Sequence, residues 1–293
     1  MNAPVANVRL ITRGEVQRWL PQLDAWLLDG AFYSVQHTWP QLYRNDGDGL
    51  FFVVTDGDRL LSHCAGRVVT LHDERGAHDV GLIGSVATDP AMRGRGLASE
   101  VLAAAIAEMA PRTDRLLLWA ERPELYERAG FAPSAPEACL ALARRPRRPT
   151  DDVVRALTID DHRAVHALHE QKPWRVARSL TTMSTLLSTP GMTTVVLERA
   201  GEVRAYACTG KGADLQGHWH EFGGTDRDVA ALLPAAMHLA AQIEAVLLLP
   251  PYRDELRELL GEQVVGEAQV PGPMVRSADG AAVASWIDGL DSV

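Results

Sequence analysis

The order of predicted secondary-structure elements is repeated on either side of a basic, proline-rich run near the middle of the chain. Residues 144–149 read Arg-Arg-Pro-Arg-Arg-Pro, which interrupts helix and strand periodicity because proline lacks an amide donor and restricts the residue before it. Gly57 and Gly201, and likewise Cys64 and Cys208, are each separated by 144 residues. A shared offset indicates duplication of one structural unit. We therefore predict an exposed linker between two units, residues 1–148 and 149–293.

Each unit begins with a short strand and a helix, and continues with a hairpin. Thr12 with Glu15, and Thr158 with Asp161, have the spacing of a capping box at a helix start. The hairpins turn at Gly57 and at Gly201, and each is followed by strand, helix, strand and short helix. This alternation predicts a mixed α/β sheet covered by helices, with a ligand at the carboxyl ends of the central strands.

The composition is that of an ordinary globular protein, with 46% hydrophobic and 23% charged residues. The first residues have no basic segment followed by an apolar core, and no run approaches the roughly 18 apolar residues of a membrane span. We expect a cytoplasmic protein without a membrane partner. Cys64, Cys139 and Cys208 lie in apolar runs without CxxC spacing, so we expect buried, reduced thiols and no structural metal.

The excess of acidic residues lies in the second unit. The formal net charge is -9, and residues 151–293 contain 12 Lys and Arg against 20 Asp and Glu. This balance disfavours a nucleic-acid partner. It weakly favours a cationic substrate, although a solvated acidic surface has the same composition.

A glycine-rich and arginine-rich turn separates an apolar strand from an amphipathic helix in the first unit. Residues 93–98 read Arg-Gly-Arg-Gly-Leu-Ala. Glycines at 94 and 96 remove the Cβ atoms that keep a ligand from the backbone, and the first amides of a helix bind anions. Arg93 and Arg95 add charge for phosphate oxygens. A turn that merely caps the helix would look the same over these six residues alone.

The wider context resembles the GCN5-related N-acetyltransferase (GNAT) superfamily. The glycine turn is followed by a helix, a strand and Leu125-Tyr126-Glu127-Arg128-Ala129-Gly130-Phe131, which matches the family's Y-x-x-x-G-F segment. The resemblance implies two tandem GNAT-like units, the first catalytic and the second without a phosphate loop. It also implies acetyl-CoA as cosubstrate, held at these matching positions: Val86, Ala87, Thr88, Arg93, Gly94, Arg95, Gly96, Leu97, Ala98 and Ser99.

Within that superfamily, the tandem units and the run Leu118-Trp119-Ala120-Glu121 resemble the Eis (enhanced intracellular survival) acetyltransferases. Members of that group usually carry a third, sterol-carrier-like domain, for which we expect no counterpart in these residues. They use a C-terminal carboxylate as a base, so Val293 is one candidate for that role.

The resemblance assigns the general acid to Tyr126, since the family tyrosine protonates the departing thiolate. Packing of this tyrosine on the sheet is the alternative. No carboxylate lies in residues 82–87, where several acetyltransferases place their base. Glu121 is therefore a further base candidate beside Val293, although exposed carboxylates near a helix start also stabilise the helix dipole.

Aromatic residues ahead of the first hairpin are candidates for an amine pocket: Phe32, Tyr33, His37 and Trp39, with Trp119 opposite. Filling of the core is the alternative. His218, His220 and Glu221 suggest a metal cluster, but on a strand Glu221 points away from both histidines. We therefore predict no metal.

In the second unit Asp226 and Asp228 stand where the first unit has its arginines, and acids there would repel a pyrophosphate. We expect one cofactor site per chain, with the second unit as scaffold, homo-oligomer surface or pocket wall. The leading hypothesis is acetyl transfer to a small, cationic amine. The alternatives are a protein or peptide N-acetyltransferase and a non-catalytic acyl-CoA sensor.

Overall fold

The computed structural model describes residues 7–28, 33–146, 151–212, 214–277 and 285–293. In these ranges the chain forms two mixed β-sheets covered by helices, which confirms the predicted α/β class. None of the helices in the described ranges has both the length and the apolar character that crossing a membrane requires.

The first sheet has the strand order β1-β2-β3-β4-β5-β15-β6, with β9 paired to β3. Its strands are β1 (Arg9–Ile11), β2 (Leu50–Asp56), β3 (Arg59–Asp73), β4 (Gly76–Thr88), β5 (Arg115–Leu118), β6 (Ala132–Pro133), β9 (Arg175–Val176) and β15 (Met274–Ser277). The helices of the first half are α1 (Arg13–Val16), α2 (Leu20–Leu27), α3 (Val35–Thr38), α4 (Pro40–Tyr43), α5 (Leu97–Met109) and α6 (Glu124–Glu127).

The second sheet has the order β14-β7-β13-β12-β11-β10-β8. Its strands are β7 (Glu137–Ala143), β8 (Val153–Ala156), β10 (Thr193–Arg199), β11 (Glu202–Thr209), β12 (His218–Gly224), β13 (Glu244–Leu249) and β14 (Val264–Val270). The helices of the second half are α7 (His162–Glu170), α8 (Leu180–Leu187), α9 (Asp226–Leu239) and α10 (Asp254–Leu260).

Both predicted capping boxes are confirmed. The Thr12 hydroxyl accepts from the Glu15 amide while the Glu15 carboxylate accepts from the Thr12 amide, and Thr158 and Asp161 do the same. Each box satisfies donors that the first helical turn leaves free. The two hairpins also form, from β2 with β3 and from β10 with β11.

The two halves exchange strands, which the sequence pattern does not predict. Strand β7 lies in the second sheet between β14 and β13, and β15 lies in the first sheet between β5 and β6. The predicted linker is described only as far as Pro146, so the division at residues 148 and 149 lies outside the described residues and stays a prediction. Because each sheet contains a strand from the other half, the halves are joined by backbone hydrogen bonds.

Residues 285–293, which we call the C-terminal segment, lie between the two sheets. Ile287 packs in a core cluster with strands of the first sheet, including Val69 and Leu117. Leu290 packs in a cluster with α7, α8 and the second sheet. The segment is therefore buried between the halves rather than extended over the surface.

Candidate active site

The parallel strands β4 and β5 separate toward their carboxyl ends. They pair at Val80 with Arg115, Gly81 with Leu116 and Leu82 with Leu117, after which β4 runs on to Thr88 while β5 ends at Leu118. The splayed ends leave backbone groups of β4 without a partner on β5. The carboxyl ends of central parallel strands are where α/β sheets bind ligands.

A β-bulge lies on β4 at this opening. The register with β3 moves from Ala65–Gly84 to His63–Ala87, so two residues, Ser85 and Val86, oppose Cys64. Ser85 has a φ of 51°, a left-handed conformation that non-glycine residues rarely adopt. Bulges turn backbone groups out of the ladder and are frequent beside active sites.

The turn before α5 leaves space for a ligand at the backbone. Gly94 and Gly96 have φ values of 77° and 82°, and a Cβ at either position would have no atom within 4 Å. The first turn of α5 has no side-chain cap, so its amides retain the positive end of the helix dipole for an anion. Arg93 and Arg95 beside it are exposed.

Asp89 fixes the turn at the end of β4, a role that the sequence analysis missed. Its carboxylate accepts from the Ala91 amide at 2.9 Å and from Nε of Arg59 at 3.1 Å. The hydrogen bonds from Arg59 lower the pKa of Asp89 below its ordinary value. The carboxylate therefore stays charged and holds the chain where it turns toward the glycines.

Tyr126 lies on α6, directly after β5. It is half-buried against the cluster under α5, with its ring edge-on to Phe131 at 6.4 Å between centroids. The Phe131 amide donates to the Tyr126 carbonyl at 3.0 Å, and Gly130 makes the turn between them at a φ of 85°. Burial, with a smaller contribution from Cys64, raises the pKa of Tyr126 to about 12, so the phenol keeps its proton at neutral pH.

His63 and Ser85, which the sequence analysis missed, lie with Tyr43 on the face of the first sheet away from α5. The His63 ring stacks on Tyr43 at 6.1 Å, and Nδ1 of His63 lies 2.8 Å from the Ser85 carbonyl. Since a carbonyl only accepts, this contact puts the proton on Nδ1 and leaves Nε2 as an acceptor. Within the described ranges, Nε2 of His63 is buried without a hydrogen-bond partner, and the side chain of Ser85 lies beside the buried Tyr43 hydroxyl.

Val293 comes directly against the bulged part of β4. A Cβ added to Gly84 would lie 2.2 Å from the main-chain oxygen of Val293 and 2.4 Å from its carbonyl carbon. Only glycine allows this approach, because a real Cβ is not found so close to a backbone atom. Glu121, the other base candidate, is exposed in the turn before α6.

The aromatic candidates are spread over different surroundings. Tyr33 and His37 meet edge-on at 6.3 Å, and Tyr33 lies against Gly191 of the second half. Trp39 packs partly in the core under α1 to α4. Trp119 is exposed after β5, and among the described residues it has no ring contact with the other three. Phe32 lies outside the described residues.

A cavity of about 170 Å³ lies between α4, the loop after it, β3 and α8. Its lining includes Gln41, Arg67 and Thr182, with the carboxylates of Asp46 and Asp48 at one side. Gln41 also donates to the Ser292 carbonyl at 2.9 Å. Gln41 therefore links the lining of the cavity to the C-terminal segment that leads to Val293.

The histidines of β12 do not converge with Glu221. Nδ1 of His218 lies 2.9 Å from the Gln216 carbonyl, while His220 is fully buried against Gly289. Within the described ranges, the one group of three ligand-type side chains with atoms within 4.8 Å is His169, Glu221 and Asp288. Lys172 contacts both of these carboxylates, at 3.5 Å and 2.8 Å, and thereby supplies a cation to them.

Comparison with protein families gives one match. Residues 7–134 match the family model described as an acetyltransferase (GNAT) domain, and these residues contain the splayed strands, the glycine turn and Tyr126. This part of the chain therefore matches a GNAT acetyltransferase domain, which supports an N-acetyltransferase that uses an acyl-CoA. Among curated proteins, no sequence matches the chain.

Solved structures with this fold span both halves. A probable N-acyltransferase of unknown function from Enterococcus faecalis V583 is 14% identical, with a TM-score of 0.72, and the match covers 94% of this chain and 73% of that one. A GCN5-related N-acetyltransferase from Kribbella flavida is 16% identical, with a TM-score of 0.65 and coverage of 96% and 74%. Eis1 from Mycobacterium abscessus is 16% identical, with a TM-score of 0.61 and coverage of 93% and 74%. The chain thus has a GNAT, Eis-like fold.

Proposed function

We propose that the chain transfers the acetyl group of acetyl-CoA to the amine of a small, cationic molecule by direct attack in a ternary complex. The observation that carries the proposal is the opening between β4 and β5. It has an uncapped helix start at one end and the Tyr126 phenol beside it. The two features serve the two ends of the cosubstrate, its pyrophosphate and its thioester.

The proposed pyrophosphate site is the first turn of α5. Gly94 and Gly96 give an anion access to the backbone, since no atom lies within 4 Å of their Cβ positions. Arg93 and Arg95 are exposed beside these amides and supply charge-assisted hydrogen bonds. The pantetheine arm would follow the unpaired edge of β4 at Val86, Ala87 and Thr88, as an added strand does.

Acetyl transfer requires one proton to leave the amine and one to reach sulfur. The amine nitrogen forms a bond to the thioester carbonyl carbon, and the C–S bond breaks as the intermediate collapses. In this proposal the Tyr126 hydroxyl gives its proton to the departing thiolate. A phenol with a pKa raised to about 12 remains protonated until that step, which is what a general acid requires.

We propose the Val293 carboxyl group, rather than Glu121, as the acceptor of the amine proton. Val293 lies against Gly84 on the strand whose splayed end receives the thioester, whereas Glu121 is exposed. The Nε2 lone pair of His63, which has no partner among the described residues, offers the neutral amine a hydrogen bond on the same face of β3.

The acceptor would enter through the cavity beside Gln41 and Arg67. Asp46 and Asp48 border this cavity, where Arg44 pairs with Asp46 and Arg67 pairs with Asp48, each at 3.0 Å. Both carboxylates are more than half exposed, so they can still attract a cation. A volume of about 170 Å³ suits a small amine better than a folded protein. Tyr33, His37, Trp39 and Trp119 remain proposed wall residues at the outer part of this site.

Release of the coenzyme A thiol in the presence of a panel of amines tests the proposal. The panel should hold diamines, amino sugars, neutral amines and a lysine-containing peptide. Thiol release with small cationic amines above the rate of hydrolysis would support the proposed function. Preference for the peptide would favour the protein or peptide alternative, and acetyl-CoA binding without release for any amine would favour the acyl-CoA sensor.

A further inference from the structure

The C-terminal segment is held by charges that come mainly from the second half. Asp291 is fully buried, and its Oδ2 accepts from Nε of Arg178 at 3.0 Å. Arg178 also pairs with both carboxylate oxygens of Glu221, at 2.6 Å and 2.8 Å. A planar guanidinium shared by two carboxylates fixes direction as well as distance.

Asp288 is held in the same way one turn earlier. Nζ of Lys172 lies 2.8 Å from Asp288 Oδ2, and the Trp286 indole donates to Asp288 Oδ1 at 3.1 Å. Burial acts to lower the pKa of Lys172, but the Asp288 and Glu221 carboxylates raise it above its ordinary value. Because lysine and arginine already neutralise these carboxylates, the cluster with His169 is an ion-pair network rather than a metal site.

The backbone of the segment is bound as closely as its side chains. Nζ of Lys211 donates to the carbonyls of Gly289, Leu290 and Ser292 at 2.9 to 3.0 Å. From the first half, Gln41 donates to the Ser292 carbonyl at 2.9 Å, and Arg67 lies 3.7 Å from Asp291. The Ser292 carbonyl, one residue before Val293, therefore accepts hydrogen bonds from both halves of the chain.

We infer that the second half acts as the positioning element of the active site, with Arg178 and Lys211 holding the C-terminal segment so that Val293 stays against Gly84. This inference rests on the proposed function. Arg178, Lys211 and Asp291 are positioning residues, since they act on the reaction through the segment.

Asp291→Asn tests the inference, because it removes one charge and keeps the size of the side chain. We expect kcat for the best amine to fall by about tenfold or more, as misplacement of a catalytic group by a fraction of an ångström does. Acetyl-CoA affinity should stay within about twofold, since the glycine turn is untouched. Gly84→Ala, which displaces Val293 from the other side, should lower kcat similarly, and the double variant should be less than additive.

Asp161→Asn is the matched control. Asp161 is also a buried aspartate of the second half that pairs with an arginine, at 2.6 Å to Arg155, but it does not contact the C-terminal segment. It should lower stability and leave kcat unchanged. Equal kcat values for Asp291→Asn and Asp161→Asn at matched stability would overturn the inference.

Amide hydrogen exchange separates this inference from the proposed function. In Asp291→Asn, exchange should rise in residues 285–293 and at Gly84, and stay unchanged in α5. This result is expected even if no amine is acetylated. Unchanged exchange at Gly84 would overturn the inference and leave the proposed function standing.

Discussion

The starts of α5 and α9 occupy the same place in the two halves but are satisfied in opposite ways. Before α5, two glycines leave open space and no side chain caps the helix. Before α9, the Thr225 hydroxyl accepts from the Asp228 amide. Asp228 pairs with Arg199 at 2.7 Å, and Asp226 pairs with Arg253. The second helix start therefore carries its own anions, whereas the first is free to receive one from a ligand.

The central strands β4 and β12 also differ between the two halves, in the residues that lie opposite an equivalent cysteine. On β4, the residues opposite Cys64 are the bulged Ser85 and Val86. On β12, Glu221 lies opposite Cys208 and is fully buried among cations. At equivalent positions the first half thus has a bulged strand beside an open glycine turn, and the second half has a charged network that holds the C-terminal segment.

The largest effect should come from Tyr126→Phe, which removes only the hydroxyl. If that hydroxyl protonates the thiolate, kcat should fall by about 10²-fold, while acetyl-CoA affinity changes little. Tyr252→Phe is the matched control, because Tyr252 follows β13 as Tyr126 follows β5 and burial likewise raises its pKa to about 12. Steady-state kinetics with the best amine measure both variants, and near-normal turnover of Tyr126→Phe would make Tyr126 a packing residue.

A second effect concerns stabilisation by the cosubstrate. Acetyl-CoA at 100 times its Kd should add about 2.7 kcal/mol to the free energy of unfolding. Gly96→Glu should abolish the resulting shift in Tm, because it places bulk and negative charge at the proposed pyrophosphate site. Gly201→Glu is the control from the second half, since Gly201 has a φ of 79° and equally open space. A retained shift in Gly96→Glu would remove the proposed site.

The parts predicted from the sequence depend on contacts that are close along the chain. The capping boxes, both hairpin turns and the glycine turn before α5 each lie within a few residues. The pairs of Arg178 with Glu221 and with Asp291 span 43 and 113 residues, so no local pattern marks them. The exchange of β7 and β15 was missed for the same reason. The extension of the β3–β4 hairpin to Asp73 and Gly76 was also missed, although this turn is local.

The smallest predicted effect is a loss of stability at acidic pH. Each half should contribute to it through one buried histidine, His63 in the first half and His220 in the second. Burial lowers the pKa of His63 to about 4 and that of His220 to about 3, against about 6.5 when unfolded. The unfolded chain therefore binds more protons between these values and pH 6.5, so stability rises with pH there and is lost as pH falls. Between pH 7.5 and pH 5.5, each histidine should lower the free energy of unfolding by about 1 kcal/mol.

Chemical denaturation at these two pH values measures that loss. His63→Gln and His220→Gln should each reduce the difference in the free energy of unfolding between pH 7.5 and pH 5.5. This is expected whatever their effect on stability at pH 7.5. If the free energy of unfolding changes by the same amount between the two pH values in the wild type and in both variants, the pKa values of these histidines are not lowered in the folded protein.

Calorimetric titration with acetyl-CoA tests the central contrast most directly, because it counts sites rather than inferring them from activity. We expect one site per chain in the wild type, one in Gly201→Glu and none in Gly96→Glu. Two equivalent sites in the wild type, or one site retained in Gly96→Glu, would contradict the assignment of cosubstrate binding to the first half and of positioning to the second.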